Sequence, residues 1–282
     1  MGISAGDVKR LREKTGAGMM ECKNALVEAG GDIDQAEKRL KEKGLAAVEK
    51  RMDRATNEGK VFIKIRDRTA VMVELASETD FVARNPEFIA LGGLLADRIL
   101  DQGYTEANEE LRGMVTDLAT KIRENLSLRR IQVVRAEDNQ YVTQYIHGDG
   151  NIGVLVKFQA DKPEVFQRED VQDVAFSIAL HVAAFNPVAL DRTKIQPEFL
   201  QEQEAIFRKQ LEGDEKLAGK PQAVLDQILK GKLTKYLSDI CLMEQGYVKE
   251  EKISVAKALA ECGKQAGADL QIVEYLYFKV GA

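Results

Sequence analysis

The sequence is short of the side chains that most enzyme sites use. Its 282 residues include 2 histidines, 3 cysteines and no tryptophan. So few histidines exclude a His-rich metal centre, and the wide separation of Cys22, Cys241 and Cys262 excludes a zinc site built from clustered cysteine and histidine. The cysteine pattern also suggests no disulfide framework, which favours a reducing compartment.

Long apolar runs are missing too. No stretch approaches the ~18 apolar residues of a membrane helix, and residues 1–12 have no apolar core of the signal-peptide type. We therefore expect neither secretion nor organelle import, but a cytoplasmic location. A composition of 44% hydrophobic and 31% charged residues is typical of a folded chain, and the length is sufficient for two domains with separate cores.

The charge is unevenly distributed. The whole chain has a net charge of −5, which does not resemble that of a nucleic-acid-binding protein. Residues 1–54, however, have a net charge of +2, and the remainder has −7. This change of sign near residue 54 predicts a domain boundary.

The first 45 residues predict three short helices. The Thr15–Gly18 turn ends the first helix, Gly30-Gly31 ends the second, and the third is expected to end at Gly44. Helices this short are not stable alone, so we predict a helical bundle over residues 1–45 and a charged linker over 46–58. The apolar stripe of the second helix is predicted to be Met19, Cys22, Ala25, Leu26 and Ala29.

From residue 60 the apolar residues alternate, which predicts a β-hairpin. Two helices and a strand follow, and the same order recurs from residue 141 to a final β-prone segment over 270–280. We therefore predict an α+β fold with two related core subdomains of hairpin-helix-helix-strand order. The first spans 59–139, and the second spans 140–190 and 243–282.

Residues 191–242 interrupt the second subdomain with two polar helices. Narrow apolar stripes on both helices predict an antiparallel coiled-coil arm that packs on a partner or pairs with a second copy of the chain. The predicted stripes are Phe199, Ile206 and Leu211 on the first helix, and Val224, Leu225, Ile228, Leu229 and Leu233 on the second.

No convincing nucleotide-binding motif occurs in the sequence. The phosphate-loop pattern is absent, and the glycine pattern over residues 148–153 lies in a predicted hairpin rather than at the start of a helix. His147 is expected to be exposed and His181 to be buried, bonded to backbone or a carboxylate. Neither histidine has a nearby nucleophile. We therefore predict no catalytic residues, no metal, no cofactor and no direct nucleotide binding.

Two segments suggest protein contacts instead. In Ser77–Arg84, Asp80 and Phe81 could form a wedge offered to another protein; spacing alone slightly favours the alternative, in which Asp80 caps a turn and Phe81 packs on the sheet. After the Thr15–Gly18 turn, Met19 and Met20 either suit a partner groove or simply cover the bundle. The residues alone leave both questions open.

These segments also show a family resemblance. Residues 15–26 read Thr-Gly-Ala-Gly-Met-Met-Glu-Cys-Lys-Asn-Ala-Leu, and residues 78–84 read Glu-Thr-Asp-Phe-Val-Ala-Arg. With them, nearly the whole chain resembles the bacterial translation elongation factor Ts family. Weaker matches occur at Arg129-Arg130, His147-Gly148, Ile152–Val156, His181–Ala184 and Gly219–Pro221.

The resemblance implies a guanine-nucleotide exchange factor for elongation factor Tu, which is not itself an enzyme. It implies that the bundle is of ubiquitin-associated type and docks on the GTPase, and that Asp80 and Phe81 intrude near the GTPase's magnesium and phosphate site. Thr79 and Val82 are implied to be further partner-binding residues. The docking surface of the bundle is implied to contain Arg12, Met19, Met20 and Lys23, and His147 matches a core contact.

Three further expectations concern the C-terminal module, the oligomeric state and the competing function. Some family members carry a C-terminal helical module after the last core strand, and we expect it to be missing here. A homodimer through the arm or a 2:2 complex with the GTPase is compatible with the sequence. The competing function is a ribosome- or RNA-binding adaptor without exchange activity.

Overall fold

The computed structural model describes residues 3–214, 217 and 220–282, and within them the chain forms ten α-helices and eight β-strands. The predicted α+β class is confirmed. Two compact units are distinguished: Met1–Val134, Gly148–Ile152 and Phe278–Ala282 form the first, and Arg135–His147 and Gly153–Tyr277 form the second. None of the helices in the described ranges is long and apolar enough to cross a membrane.

The first unit begins with three helices, α1 (Ala5–Thr15), α2 (Met19–Glu28) and α3 (Ile33–Glu49). Gly16 ends α1 in the left-handed conformation, with φ of 68°, and Asp32 caps α3 through its side chain. Because each helix has one narrow apolar face, the three helices bury a small shared core. That core consists of Val8, Leu11, Cys22, Ala25, Leu26 and Ala36.

The prediction that Gly44 ends the third helix is wrong. Helix α3 continues through Gly44 to Glu49 and packs against α6 (Glu109–Ile122). A Cβ atom at Gly44 would lie 2.2 Å from Cγ2 of Thr120. The glycine therefore serves close helix approach rather than helix termination, a distinction that local sequence does not reveal.

The first sheet has the strand order β1-β2-β3, with β1 at Glu58–Arg66, β2 at Thr69–Ser77 and β3 at Leu126–Arg135. Strands β1 and β2 form the predicted antiparallel hairpin. Helices α5 (Pro86–Gln102) and α6 supply the rest of its core, where buried residues include Val73, Leu75, Phe88, Leu95, Ile99 and Leu111. Asn85 caps α5, as the Asn-Pro pair predicts.

The second unit contains a sheet of order β4-β5-β8, with β4 at Gln140–His147, β5 at Ile152–Ala160 and β8 at Leu270–Lys279. Helix α7 (Glu169–Phe185) packs on β4, and α10 (Val255–Ala266) packs on α7. A two-stranded ribbon precedes α10, formed by β6 (Gly246–Tyr247) and β7 (Glu250–Ser254). Strands this short give little periodic signal, and the sequence did not predict them.

The second unit also holds the helical hairpin of α8 (Pro197–Glu212) and α9 (Gln222–Ile240). Tyr236 near the end of α9 contacts Phe199 at the start of α8, with ring centroids 6.4 Å apart, so the two helices run antiparallel. The predicted stripes are partly wrong, because Ile206 and Val224 are exposed and Phe207 contacts Tyr236 instead. The segment between the two helices, and with it the Gly219–Pro221 match, lies partly outside the described residues.

Candidate partner-binding site

A short helix follows β2 and presents the Asp80-Phe81 pair. This helix, α4, spans Asp80–Ala83, and Thr79 is its N-cap. The Thr79 hydroxyl oxygen accepts a hydrogen bond from Val82 N at 3.4 Å. The sequence predicted only a connection here, because a single helical turn is too short for a periodic pattern.

The side chain of Phe81 points into solvent. It is 82% exposed, whereas the next two residues, Val82 and Ala83, are only 8% and 5% exposed and belong to the core of the first unit. The ring therefore contributes little to the core of the first unit and is accessible to a partner. The alternative in which Phe81 packs on the sheet is therefore wrong, and Val82 is not accessible to a partner in this conformation.

Asp80 places a carboxylate beside the exposed ring. Its Oδ2 atom lies 3.2 Å from Nη2 of Arg84, in an i,i+4 pair whose side chains are both about half exposed. An acidic residue in the first turn is also favoured by the positive end of the helix dipole. Asp80 and Phe81 therefore present a negative charge and an apolar ring side by side on one helical turn.

Polar contacts hold the chain that leads into α4. Thr79 donates two hydrogen bonds to the Glu124 carboxylate, from its backbone N at 3.1 Å and from its hydroxyl at 2.7 Å. The Ser77 hydroxyl donates to the carbonyl oxygen of Thr79 at 2.9 Å. Sequence reasoning missed Glu124, because its contact partner lies 45 residues away along the chain.

The bundle exposes a second surface on α1 and α2. Arg12, Met19, Met20 and Lys23 are all exposed, with Met19 at 56% and Met20 at 63%. Met19 was predicted within the buried stripe, and this is wrong, as is the alternative that both methionines cover the bundle. Val27 was missed; it is 59% exposed and follows Met20 and Lys23 at helical spacing. We call Arg12, Met19, Met20, Lys23 and Val27 the bundle surface.

His147 lies in the second unit, at the end of β4. It is exposed, as predicted, and its Nδ1 atom lies 3.2 Å from the hydroxyl oxygen of Tyr145. Of the sequence-predicted site residues, the structure therefore groups the bundle surface and α4 in one compact unit and places His147 in the other.

Comparison with known proteins identifies the family. The family model described as elongation factor TS matches residues 78–282. Proteins named elongation factor Ts match the whole chain: the one from Treponema denticola is 47% identical over 281 residues, covering 100% of this chain and 99% of its own length. The Treponema pallidum protein is 45% identical over 292 residues, which cover 100% of this chain and 99% of its own length. The Borreliella afzelii protein is 39% identical over 280 residues, which cover 99% of each chain.

The chain belongs to the elongation factor Ts family. The resemblance seen in the sequence is thereby confirmed, and relatives cover the N-terminal residues that the family model does not. Elongation factor Ts is an exchange factor of translation elongation and not a catalytic enzyme. A site built from an exposed ring, thioethers and charges suits such a protein, because exchange needs surfaces that bind a GTPase and no covalent step.

His181, the other histidine of the chain, is buried on α7 in the second unit. Its Nε2 donates a hydrogen bond to Oε1 of Gln245 at 2.9 Å, so burial is confirmed, but the partner is an amide rather than backbone or a carboxylate. Burial lowers the pKa of His181 below its ordinary value of 6.5, because the charged imidazolium is disfavoured away from water.

The lowered pKa of His181 predicts a loss of stability in acid. Below about pH 6.5 the unfolded chain takes up this proton before the folded chain does, so the free energy of unfolding falls as pH drops toward the folded pKa. We expect the wild type to lose up to about 1.4 kcal/mol per pH unit over that range, relative to a His181→Gln variant. Urea unfolding at pH 7.5, 6.5 and 5.5 measures this, and parallel pH profiles for the two proteins would contradict it.

Proposed function

We propose that this protein releases GDP and Mg²⁺ from elongation factor Tu by inserting Asp80 and Phe81 near the GTPase's nucleotide and magnesium site. One observation carries the proposal: Phe81 is 82% exposed on a turn whose following residues are buried. Because the backbone of Phe81 is already held in a capped helical turn, little backbone ordering is needed on insertion. The Asp80 carboxylate beside it would compete electrostatically with the phosphates for the magnesium ion.

The mechanism is thermodynamic linkage. A factor that binds the nucleotide-free GTPase more tightly than the GDP-bound form weakens GDP binding by the same factor. Burying Phe81 on insertion would supply ~1.5–3 kcal/mol, which corresponds to roughly 10- to 100-fold in affinity. A larger effect requires additional contacts on either side of the inserted residues.

The bundle surface is proposed to supply one set of these contacts. We assign residues 1–45 as a bundle of ubiquitin-associated type whose exposed Met19 and Met20 pack on an apolar groove of the GTPase, because flexible thioethers adapt to such grooves. Arg12 and Lys23 would pair with acidic residues at the groove's edge. His147 is proposed as a further contact. Thr79 and Val82 support the inserted pair from within this chain.

The architecture proposed for the remainder follows the sequence prediction. Residues 59–139 form one core subdomain, and 140–190 with 243–282 form a related one; the shared strand order, with the final strand beside the second hairpin strand, supports the relation. Residues 191–242 are the arm, which binds a partner or mediates a homodimer or 2:2 complex. The proposed location is the cytoplasm, where translation elongation takes place in bacteria.

Release of a fluorescent GDP analogue from elongation factor Tu tests this function. We expect micromolar concentrations of the protein to accelerate release, with the rate saturating as its concentration increases. No acceleration at micromolar protein, combined with binding to ribosomes or RNA, would favour the adaptor function instead. An unrelated protein of similar charge serves as the control for nonspecific effects.

A further inference from the structure

Three consecutive residues, Arg123, Glu124 and Asn125, follow α6, and each contacts a different segment of the first unit. Their partners lie in the bundle, at the start of α4, and in the linker between the bundle and β1. No local sequence pattern links these partners, since they are separated from residues 123–125 by about 45 to 100 positions. The three contacts meet only in the folded chain.

Glu124 fixes the N-cap of α4. Its carboxylate accepts from both the backbone N and the hydroxyl of Thr79. Because the hydroxyl proton is directed to Glu124, a lone pair of the same oxygen remains free to accept from Val82 N. Glu124 therefore selects the rotamer in which Thr79 caps the turn that carries Phe81.

Arg123 reaches the first turn of α2. It has φ of 68°, and its Nη2 atom forms an ion pair with Oε2 of Glu21. The same Glu21 oxygen accepts from Gly18 N, the N-cap residue of α2, at 2.9 Å. Met19 and Met20 begin this turn. Arg123 thus contacts the part of the bundle that carries the exposed methionines.

Asn125 holds the linker. Its backbone N donates to Oε1 of Glu78 at 2.6 Å, and its side-chain Nδ2 donates to the carbonyl oxygens of Met52 at 3.1 Å and Arg54 at 2.8 Å. Asn125 is 7% exposed, so these hydrogen bonds form away from water, where a lost partner is costly. The linker is fastened beside the residue that precedes Thr79.

We propose that Arg123, Glu124 and Asn125 are positioning residues that hold the bundle surface and Phe81 in one arrangement, so that both engage the GTPase together. The inference rests on the proposed function. It deepens that function by adding residues that are not among the proposed contacts with the GTPase. Once one surface has bound the GTPase, a second surface held in the geometry that binding requires has a high effective concentration at its own site. The same surface on a flexible chain would have a lower one.

Separate variants of Glu124 and Arg123 test this inference by the GDP-release assay. Glu124→Ala should lower the maximal rate at saturating protein about tenfold, because two hydrogen bonds to a charged group are lost, and should change the half-saturation concentration less than about twofold. Glu124→Gln retains an acceptor oxygen and should recover part of the rate. A fall in thermal stability alone would move neither value, provided that the assay is run well below the melting temperature.

Arg123→Gly should give the opposite pattern. Glycine suits the positive φ, so this variant removes the ion pair without straining the backbone. We expect the half-saturation concentration to rise about threefold, the size of an exposed ion pair, with the maximal rate unchanged, and Arg123→Lys to recover part of it. The matched control is Asp117→Asn, which removes the exposed Lys41–Asp117 pair between α3 and α6 and should change neither value.

Amide hydrogen exchange of the protein alone separates this inference from the proposed function. In Glu124→Ala, exchange at residues 79–83 should speed up while the first sheet stays protected. The inference is overturned if this exchange is unchanged, or if Glu124→Ala releases GDP at the wild-type maximal rate. If the wild type itself fails to release GDP, the proposed function is wrong, and faster exchange in Glu124→Ala then supports the positioning of α4 only.

Discussion

Replacing Phe81 by alanine is expected to lower the acceleration of GDP release by about 10- to 100-fold and to leave the stability of the folded chain unchanged. The first effect follows from losing ~1.5–3 kcal/mol of apolar burial that arises only in the complex. The second follows from the ring being 82% exposed in the free protein, so that its removal opens no cavity. Phe81→Leu retains part of the apolar area and should lie between the two.

Two measurements test the Phe81→Ala prediction. Release of a fluorescent GDP analogue measures the acceleration of GDP release, and thermal unfolding followed by circular dichroism measures the stability of the folded chain. The matched control is Val188→Ala, an exposed apolar residue of the second unit at 62%, which should alter neither. A loss of ~3–5 kcal/mol in stability for Phe81→Ala would show that the ring belongs to the core and would remove the basis of the proposed insertion.

Replacing Arg130 by methionine is expected to destabilise the first unit by about 3 kcal/mol. Glu74 on β2 is fully buried, and its carboxylate accepts from Nε of Arg130 at 2.5 Å and from Gly281 N at 3.3 Å. Removing the arginine leaves a buried charge without its main partner, which costs more than the pair contributes when intact. The guanidinium also stacks 4.2 Å from the Phe278 ring centroid.

A second substitution identifies the cause of this loss. After Arg130→Met, the nearest cation to the buried Glu74 carboxylate is Arg129, whose Nη1 atom lies 3.9 Å from Oε1. Adding Glu74→Gln removes the poorly compensated charge, so the double variant should recover part of the lost stability. Urea unfolding of the wild type, both single variants and the double variant gives the coupling between the two residues. Strictly additive effects would mean that the loss comes from packing on Phe278 and not from the buried carboxylate.

Elements with strong terminal signals could be predicted from the sequence. The Asn85-Pro86 start of α5 and the Gly30-Gly31 pair after α2 are both confirmed, because capping depends on residues within one or two turns. The role of Gly44 could not be predicted from such local signals. Whether a glycine ends a helix or admits a neighbour depends on Thr120, 76 positions further along the chain.

The candidate site could be predicted only in part. Its residues were found through the family resemblance, while spacing slightly favoured the wrong orientation for Phe81, since one helical turn has no periodicity to show which side faces water. The prediction that Met19 is buried was wrong for a related reason. Met19 follows the helical spacing of the buried Cys22 and Leu26, but it lies at the start of α2 and is 56% exposed. Glu124 required the tertiary structure.

The burial of all three cysteines gives the molecule internal reporters of opening. Cys22 lies in the bundle core, while Cys241 and Cys262 lie in the second unit, and all three are buried free thiols. Burial also raises the pKa of Cys241 and Cys262, which reduces their reactive thiolate. Alkylation of the native protein therefore proceeds only through local unfolding, so the labelling rate of Cys22 follows opening of the bundle separately from opening of the second unit.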